Sequence, residues 1–169
     1  AAKSPAGAPP VLPPFRGGRP AGFAEPVVPA DNPMSYAKIE LGRHLFYDQR
    51  LSGTGDFSCA SCHEQARAFT DGKPVGIGAT GEAHPRNSMS LANAGYNSAI
   101  NWSNPVVTRL EQQALIPMFG EHPVELGLAG KEDQLLATLG ADTTYQRLFG
   151  LSFPEDAAPV SLGNLTKAL

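Results

Sequence analysis

Cysteine is nearly absent: the 169 residues contain two, Cys59 and Cys62, so no thiol is left over for a structural disulfide framework. Long hydrophobic runs are missing too. Gly, Pro or a charged residue interrupts every apolar stretch before the ~18 residues that a membrane span requires, so no membrane-spanning segment is expected. Charge of one sign is equally scarce. With 13 Lys and Arg against 16 Asp and Glu, the net charge of -3 offers no basic field to a phosphate backbone, which argues against nucleic acid as a partner. Strand-like alternation of β-branched residues hardly occurs, and the sequence therefore predicts a mainly α fold with long irregular loops.

What is present is unevenly distributed. Residues 1–33 hold nine of the sixteen prolines, which excludes a regular helix or interior strand and predicts an extended Pro/Gly-rich arm. Val11, Leu12, Phe15, Phe23, Val27 and Val28 are the residues with which that arm could dock. Residues 34–169 are expected to form the domain proper. Asn32-Pro33 reads as a helix start, and Tyr36, Ile39, Leu45 and Phe46 give a roughly helical apolar spacing that ends near Asp48. Glycines at 72, 76, 78 and 81 predict a long loop over 70–86. Thr108 and Glu111 form a Thr-x-x-Glu capping pattern opening a helix through Ile116, which Pro117 should break. A helix over 131–139 should close at Gly140, and Asp142 should cap another through Phe149, before Gly150. Val160-Ser161 opens a last helix with Leu162, Leu165 and Leu169 on one face. It stops in mid-pattern, so the domain is expected to be truncated before further chain.

The two cysteines sit in Cys59-Ala60-Ser61-Cys62-His63. Two thiols at this spacing reach the two vinyl groups of one porphyrin, and the adjacent imidazole reaches its iron, so the motif predicts a covalently attached c-type haem with His63 as iron ligand. A thioredoxin-like pair would accompany a strand-to-helix unit, and zinc would need further Cys or His ligands at finger-like spacing; neither context is present. Covalent haem attachment takes place outside the bacterial cytoplasm, which implies an exported, periplasmic protein. No signal-peptide pattern is visible, and Ala1 reads as a mature or an engineered terminus.

The iron's sixth position divides two functions. A protein ligand there makes an electron-transfer cytochrome, whereas an open position makes a catalyst. Met34, Met89, Met118, His44, His84 and His122 are the available donors. His44, beside Arg43, is most simply a solvated side chain, while His84 and His122 each precede a proline and also fit as turn residues. Trp102, the only tryptophan, suits either packing or electron relay. Glu125 stands among apolar residues and turn formers; in water it is an ordinary carboxylate, whereas burial in a haem pocket would fit it for proton transfer.

The run Glu40-Leu41-Gly42-Arg43-His44-Leu45-Phe46-Tyr47-Asp48-Gln49-Arg50-Leu51-Ser52-Gly53, followed by the haem motif, Phe69-Thr70-Asp71-Gly72, Pro85-Arg86-Asn87 and Leu110-Glu111-Gln112-Gln113-Ala114-Leu115, resembles the bacterial di-haem cytochrome c peroxidase and MauG superfamily. Ile116-Pro117-Met118-Phe119-Gly120-Glu121-His122-Pro123-Val124-Glu125-Leu126-Gly127 looks most like its MbnH-type branch. The resemblance implies a cytochrome c-like peroxidatic haem domain, with a second haem carried by a further domain. His63 would then be the proximal ligand and Glu125 the carboxylate that moves a proton between peroxide oxygens. Gln113 and Pro117 would line the same pocket, Trp102 would lie between the two haems, and Asn87 would be a calcium ligand at the domain junction. Hydrogen peroxide is the implied substrate, with an electron-donor protein or an aromatic residue of a partner protein as the group oxidised. Where the peroxidases carry a histidine that blocks the resting iron, this chain has Ala79, which implies a haem open without reductive activation.

Overall fold

A computed structural model describes residues 21–101 and 103–169. The molecule is mainly helical: α1 Tyr36–Tyr47, α2 Cys59–Cys62, α3 Leu110–Phe119, α4 Glu132–Ala141, α5 Thr143–Ser152 and α6 Leu162–Ala168, joined by short 3-10 turns and long loops. Among the described residues there is no strand, only isolated bridges such as Glu64 to Thr70 and Ile77 to Ala83. No helix among them is long and apolar enough to cross a membrane.

Helix α1 packs against α5 and α6, α4 against α5, and α3 against α6. Leu41 and Leu45 of α1, Met118 of α3, Leu135 and Leu139 of α4, Tyr145, Leu148 and Phe149 of α5 and Leu165 of α6 form one buried cluster. Gly42 is what allows α1 and α6 to approach, because a Cβ there would collide with the Ala168 carbonyl. Leu51, Leu126 and Leu128 extend the cluster from loops. Those loop leucines matter because they anchor the segments that carry the site.

Several helix ends differ from the sequence expectation. Helix α1 starts at Tyr36, with the Ser35 side chain accepting from the Lys38 N–H. Asn32 is drawn elsewhere, since its Nδ2 donates to Glu111 Oε1 (2.8 Å) and to the Lys167 carbonyl (2.9 Å). The same contact takes Glu111 out of its expected capping box, and α3 begins after an extended Arg109 without a side-chain cap. Pro117 does not break α3, which continues to Phe119. Proline in a helix removes one bond and crowds the carbonyl four residues back, typically at about 3 kcal/mol. Here the turn is held from outside, because the Pro117 and Met118 carbonyls accept the N–H groups of Leu126 (2.8 Å) and Leu128 (2.9 Å). Gly140 and Gly150 likewise lie inside α4 and α5 and do not end them. The Asp142 and Ser161 caps form as expected, accepting from Thr144 and Asn164 respectively.

Of the arm residues, Val11, Leu12 and Phe15 lie outside the described residues. The described part, from Ala21 onward, has no regular helix and runs over the surface. Phe23 meets the Tyr96 ring edge-on at 6.1 Å, Tyr96 donates to the Ala24 carbonyl, and Asp31 pairs with Arg109 at 2.9 Å. Val27 remains open to solvent.

Candidate functional site

Helix α2 is a single turn held by Ser58 and Ser61, whose hydroxyls cap each other's backbone; Ser61 Oγ accepts from the Ser58 N–H at 3.0 Å. That turn places Cys59 and Cys62 on the wall of one cavity of about 410 Å³, and His63 at its C-terminal end lines the same space. The volume lies within the ~300–1,000 Å³ usual for cofactor sites. Burial pushes the Cys59 thiol up to about 11, and burial followed by the nearby Asp71 and Glu125 raises Cys62. Both sulfurs are therefore neutral, free thiols facing one apolar-walled space.

His63 is aimed by its backbone surroundings. Its Nδ1 lies 2.8 Å from the Phe69 carbonyl. A carbonyl only accepts, so Nδ1 is the donor, and in the neutral ring Nε2 is then the bare nitrogen, which is the form that ligates iron. The carbonyl is positioned by two consecutive residues in the left-handed region, Ala68 (φ 55°) and Phe69 (φ 61°). Strain of this kind amounts to about 1–3 kcal/mol per residue and persists only where neighbours enforce it. They do so here: the Phe69 N–H donates to the Glu64 carbonyl, Ser90 Oγ donates to the Ala68 carbonyl, and the Phe46 ring packs on both Phe69 and His63.

Two thiols, a bare imidazole nitrogen and apolar walls that include Phe46, Phe57 and Ile77 match the donor set and shape of a covalently bound porphyrin.

Glu125 lines the same cavity, and its backbone is fixed from three sides. The Ala79 N–H donates to its carbonyl (2.7 Å), the Val124 N–H donates to Glu82 Oε2 (3.0 Å), and Leu126 next to it is buried while bonding Pro117 and Gly53. Burial raises the carboxyl above its ordinary range, against the opposing pull of His84 and His63. A carboxyl so perturbed retains a proton more readily, the property a proton carrier at neutral pH requires.

Gln113 and Pro117 reach the cavity from α3. Gln113 Oε1 accepts from Asn101 Nδ2 at 3.0 Å, so the donor capacity of the side chain lies in its amide N–H groups. Asn101 was not apparent from the sequence as a site residue; its Oδ1 also holds the Ser103 and Asn104 N–H groups, and the Asn-x-x-Asn turn was its one signal. Asn87 lines the cavity. Among the described residues no three His, Cys, Asp or Glu side chains converge to hold a metal ion. Trp102 lies outside the described residues. Of the six sixth-ligand donors, Met118 is buried in the core, Met34 faces solvent, and His44 is on the surface beside Glu40 (3.2 Å). Met89, His84 and His122 line the cavity.

Comparison with known proteins agrees with this geometry. The family model described as di-haem cytochrome c peroxidase matches residues 36–169. The cytochrome-c peroxidase IdrP1 of Denitromonas iodatirespirans is 37% identical over 142 residues, covering 80% of this chain and 36% of its own. The methylamine utilization protein MauG of Methylophilus methylotrophus is 33% identical, covering 83% and 40%. The crystal structure of a MauG-like protein associated with microbial copper homeostasis superposes with a TM-score of 0.88 at 45% identity, over 91% of this chain and 44% of that one. The chain thus spans less than half the length of these relatives. The match runs from the first residue of α1 through the haem motif to Leu169, and the chain belongs to the di-haem cytochrome c peroxidase family.

Proposed function

We propose that this chain is the peroxidatic haem domain of a peroxidase or oxidase, in which Cys59, Cys62 and His63 would hold a c-type haem and Glu125, on the same cavity, would handle the protons of hydrogen peroxide. The bound haem supplies the redox chemistry, accepting the oxidising equivalents of peroxide and passing them on. The protein supplies orientation and proton handling. His63, locked as its Nδ1–H form by the Phe69 carbonyl, offers Nε2 on one side. A Glu125 carboxylate oxygen takes the proton from one peroxide oxygen and returns it to the other, which leaves as water; the Gln113 amide donates a hydrogen bond to the oxygen bearing the charge. Pro117, which has no N–H, adds apolar wall beside them.

The observation that carries this reading is a half-buried carboxylate on a pinned backbone, sharing one cavity with both thiols and the His63 imidazole. General acid–base transfer contributes about 10²–10⁴-fold. In the haem-loaded protein, Glu125→Gln is expected to lose that factor in stopped-flow reaction with peroxide while its haem absorbance is kept. Unchanged reactivity ends the assignment.

The family relationship extends the proposal. A second haem domain would receive one oxidising equivalent through Trp102, calcium would bridge the domains at Asn87, and an electron-donor protein or an aromatic residue of a partner protein would be oxidised, in the periplasm. Met89, His84 and His122 on the cavity wall are the donors that would favour a mono-haem electron carrier with a methionine or histidine sixth ligand instead. A low-spin ferric spectrum, with a methionine–iron band for a Met ligand or without one for a His ligand, would replace the peroxidatic reading, and a high-spin spectrum supports it.

A further inference from the structure

Asn101 and Gln113 meet on the cavity wall, and the chemistry described above uses only the second of them. The orientation of both amides is decided by two backbone N–H groups. Ser103 and Asn104 each donate to Asn101 Oδ1, at 3.0 and 3.1 Å, and only the oxygen end of an amide can receive an N–H. The nitrogen of the Asn101 amide is therefore the end that faces Gln113. Nδ2 has no lone pair to accept with, so it donates, and Gln113 Oε1 receives it at 3.0 Å. The turn that starts this relay is itself anchored. The Val107 N–H donates to the Asn104 carbonyl and the Ile100 N–H to the Val107 carbonyl, both at 3.2 Å, and Ile100 and Val107 are buried. An unrestrained glutamine amide can turn either end to a ligand. This one has its oxygen engaged, and among the described residues none accepts from its Nε2.

We propose that Asn101 is a positioning residue for Gln113, fixing its amide so that it meets a cavity ligand as a hydrogen-bond donor and not as an acceptor. The proposal rests on the role given to Gln113 above. Its consequence is a matter of sign. A donor stabilises an oxygen that gathers negative charge, whereas an amide oxygen in the same place repels it. Turning the Gln113 amide end for end would set its Nε2 against Asn101 Nδ2, two donors with no acceptor between them. The Ser103 and Asn104 N–H groups prevent Asn101 from turning to relieve that clash. Two backbone donors thus select, through one asparagine, the polarity that Gln113 offers, and the ligand class it suits is a small anion or an oxygen bearing negative charge.

The test uses the haem-loaded protein with its second haem domain, and reads carbon monoxide on the ferrous haem and fluoride on the ferric haem, two ligands that accept hydrogen bonds. A donor at the carbon monoxide oxygen draws electron density from iron into the ligand and lowers its infrared stretch; an acceptor there raises it. Asn101→Asp keeps an oxygen for the Ser103 and Asn104 N–H groups but sets a second oxygen against Gln113, whose amide is then expected to reverse. The stretch should rise above that of the parent, and fluoride should bind about tenfold more weakly, the equivalent of one hydrogen bond to a charged acceptor. Asn101→Ser still caps the turn but is too short to reach Gln113, so its stretch is expected to fall between the two. Because the new carboxylate carries charge of its own, the decisive measurement is a cycle with Gln113→Leu. In that background Asn101→Asp should change neither stretch nor fluoride affinity, a result that a merely structural role of Asn101 does not produce. Shifts of equal size in both backgrounds overturn the proposal, and so does loss of haem attachment in both Asn101 variants, read by intact mass. If Gln113→Leu moves the stretch and neither Asn101 variant does, the role of Gln113 stands and that of Asn101 falls. If Gln113→Leu itself moves nothing, the role given to Gln113 falls and this proposal with it.

Discussion

Gly78 is where a single methyl group tests whether Glu125 has to be held in place. A Cβ added there falls inside the Val124 carbonyl oxygen, 3.0 Å from its carbon and 3.2 Å from Glu125 Cα. Gly78 is not among the positive-φ glycines, so alanine meets no backbone penalty and the whole effect is the collision. Neither side yields easily: Val124 is tied to Glu82, and Leu126 to Pro117 and Gly53. Relief requires a retreat of about 1 Å by the strand of chain carrying Glu125, and a misplacement of that size costs on the order of 10²-fold in rate. Overpacking of this kind also destabilises by about 1–3 kcal/mol. Gly78→Ala is therefore expected to bind haem, melt a few degrees early, and react with peroxide about a hundredfold more slowly, read by stopped-flow absorbance at a temperature where both proteins are folded. Peroxide reactivity within twofold of the parent at lowered stability would refute the claim that the Val124–Glu125 backbone sets the rate.

Two further expectations concern stability. Gly42→Ala should gain about 1 kcal/mol of helix propensity in α1, yet lose more to the collision with the Ala168 carbonyl, so its urea midpoint falls; a rise would show that α1 and α6 can separate. Tyr145 donates to Asp48 Oδ2 at 2.7 Å beside the Arg50 guanidinium, and Tyr145→Phe should cost about 1.5–3 kcal/mol, as for a hydrogen bond to a charged acceptor. Burial pushes the Asp48 carboxyl up, but its bonds to Arg50 and Tyr145 outweigh that and leave it below the usual range. A depressed carboxyl stabilises fully above its unfolded value of about 3.9 and loses the contribution as pH drops through the folded value. The stability gap between parent and Asp48→Asn should accordingly close below about pH 4, measured by denaturant unfolding.

The haem motif was legible because its chemistry is local: five consecutive residues suffice to bring two thiols and an imidazole together, and α2 is a single turn. The caps at Asp142 and Ser161 were legible for the same reason, each being a side chain bonded two or three residues ahead. The misread helix ends share the opposite cause. Asn32 and Glu111 have local capping partners available, but they bond each other across 79 residues. Pro117 has a strong local reason to end α3, and it is overruled by carbonyl bonds to Leu126 and Leu128. Sequence pattern reports local preference and is silent where a distant partner outbids it.

The same distinction explains how Glu125 and His84 differ in visibility. The apolar neighbours of Glu125 left it open between a solvated carboxylate and a pocket residue, and only the resemblance gave it a role. Its environment is made by three separated segments: the loop from Gly76 to Arg86, the end of α3, and the turn after α2 that carries His63. His84 was weighed from the sequence only as an iron donor or a turn residue, because Glu125, 3.8 Å from its Nδ1, lies 41 positions away. The loop's glycines were read as marking a long loop, which is what forms, and at Gly78 the missing side chain also permits close approach of the segment carrying Glu125. The glycine-rich loop over 70–86 is thus better understood as part of the site, shaped to press one wall of the cavity against the carboxylate.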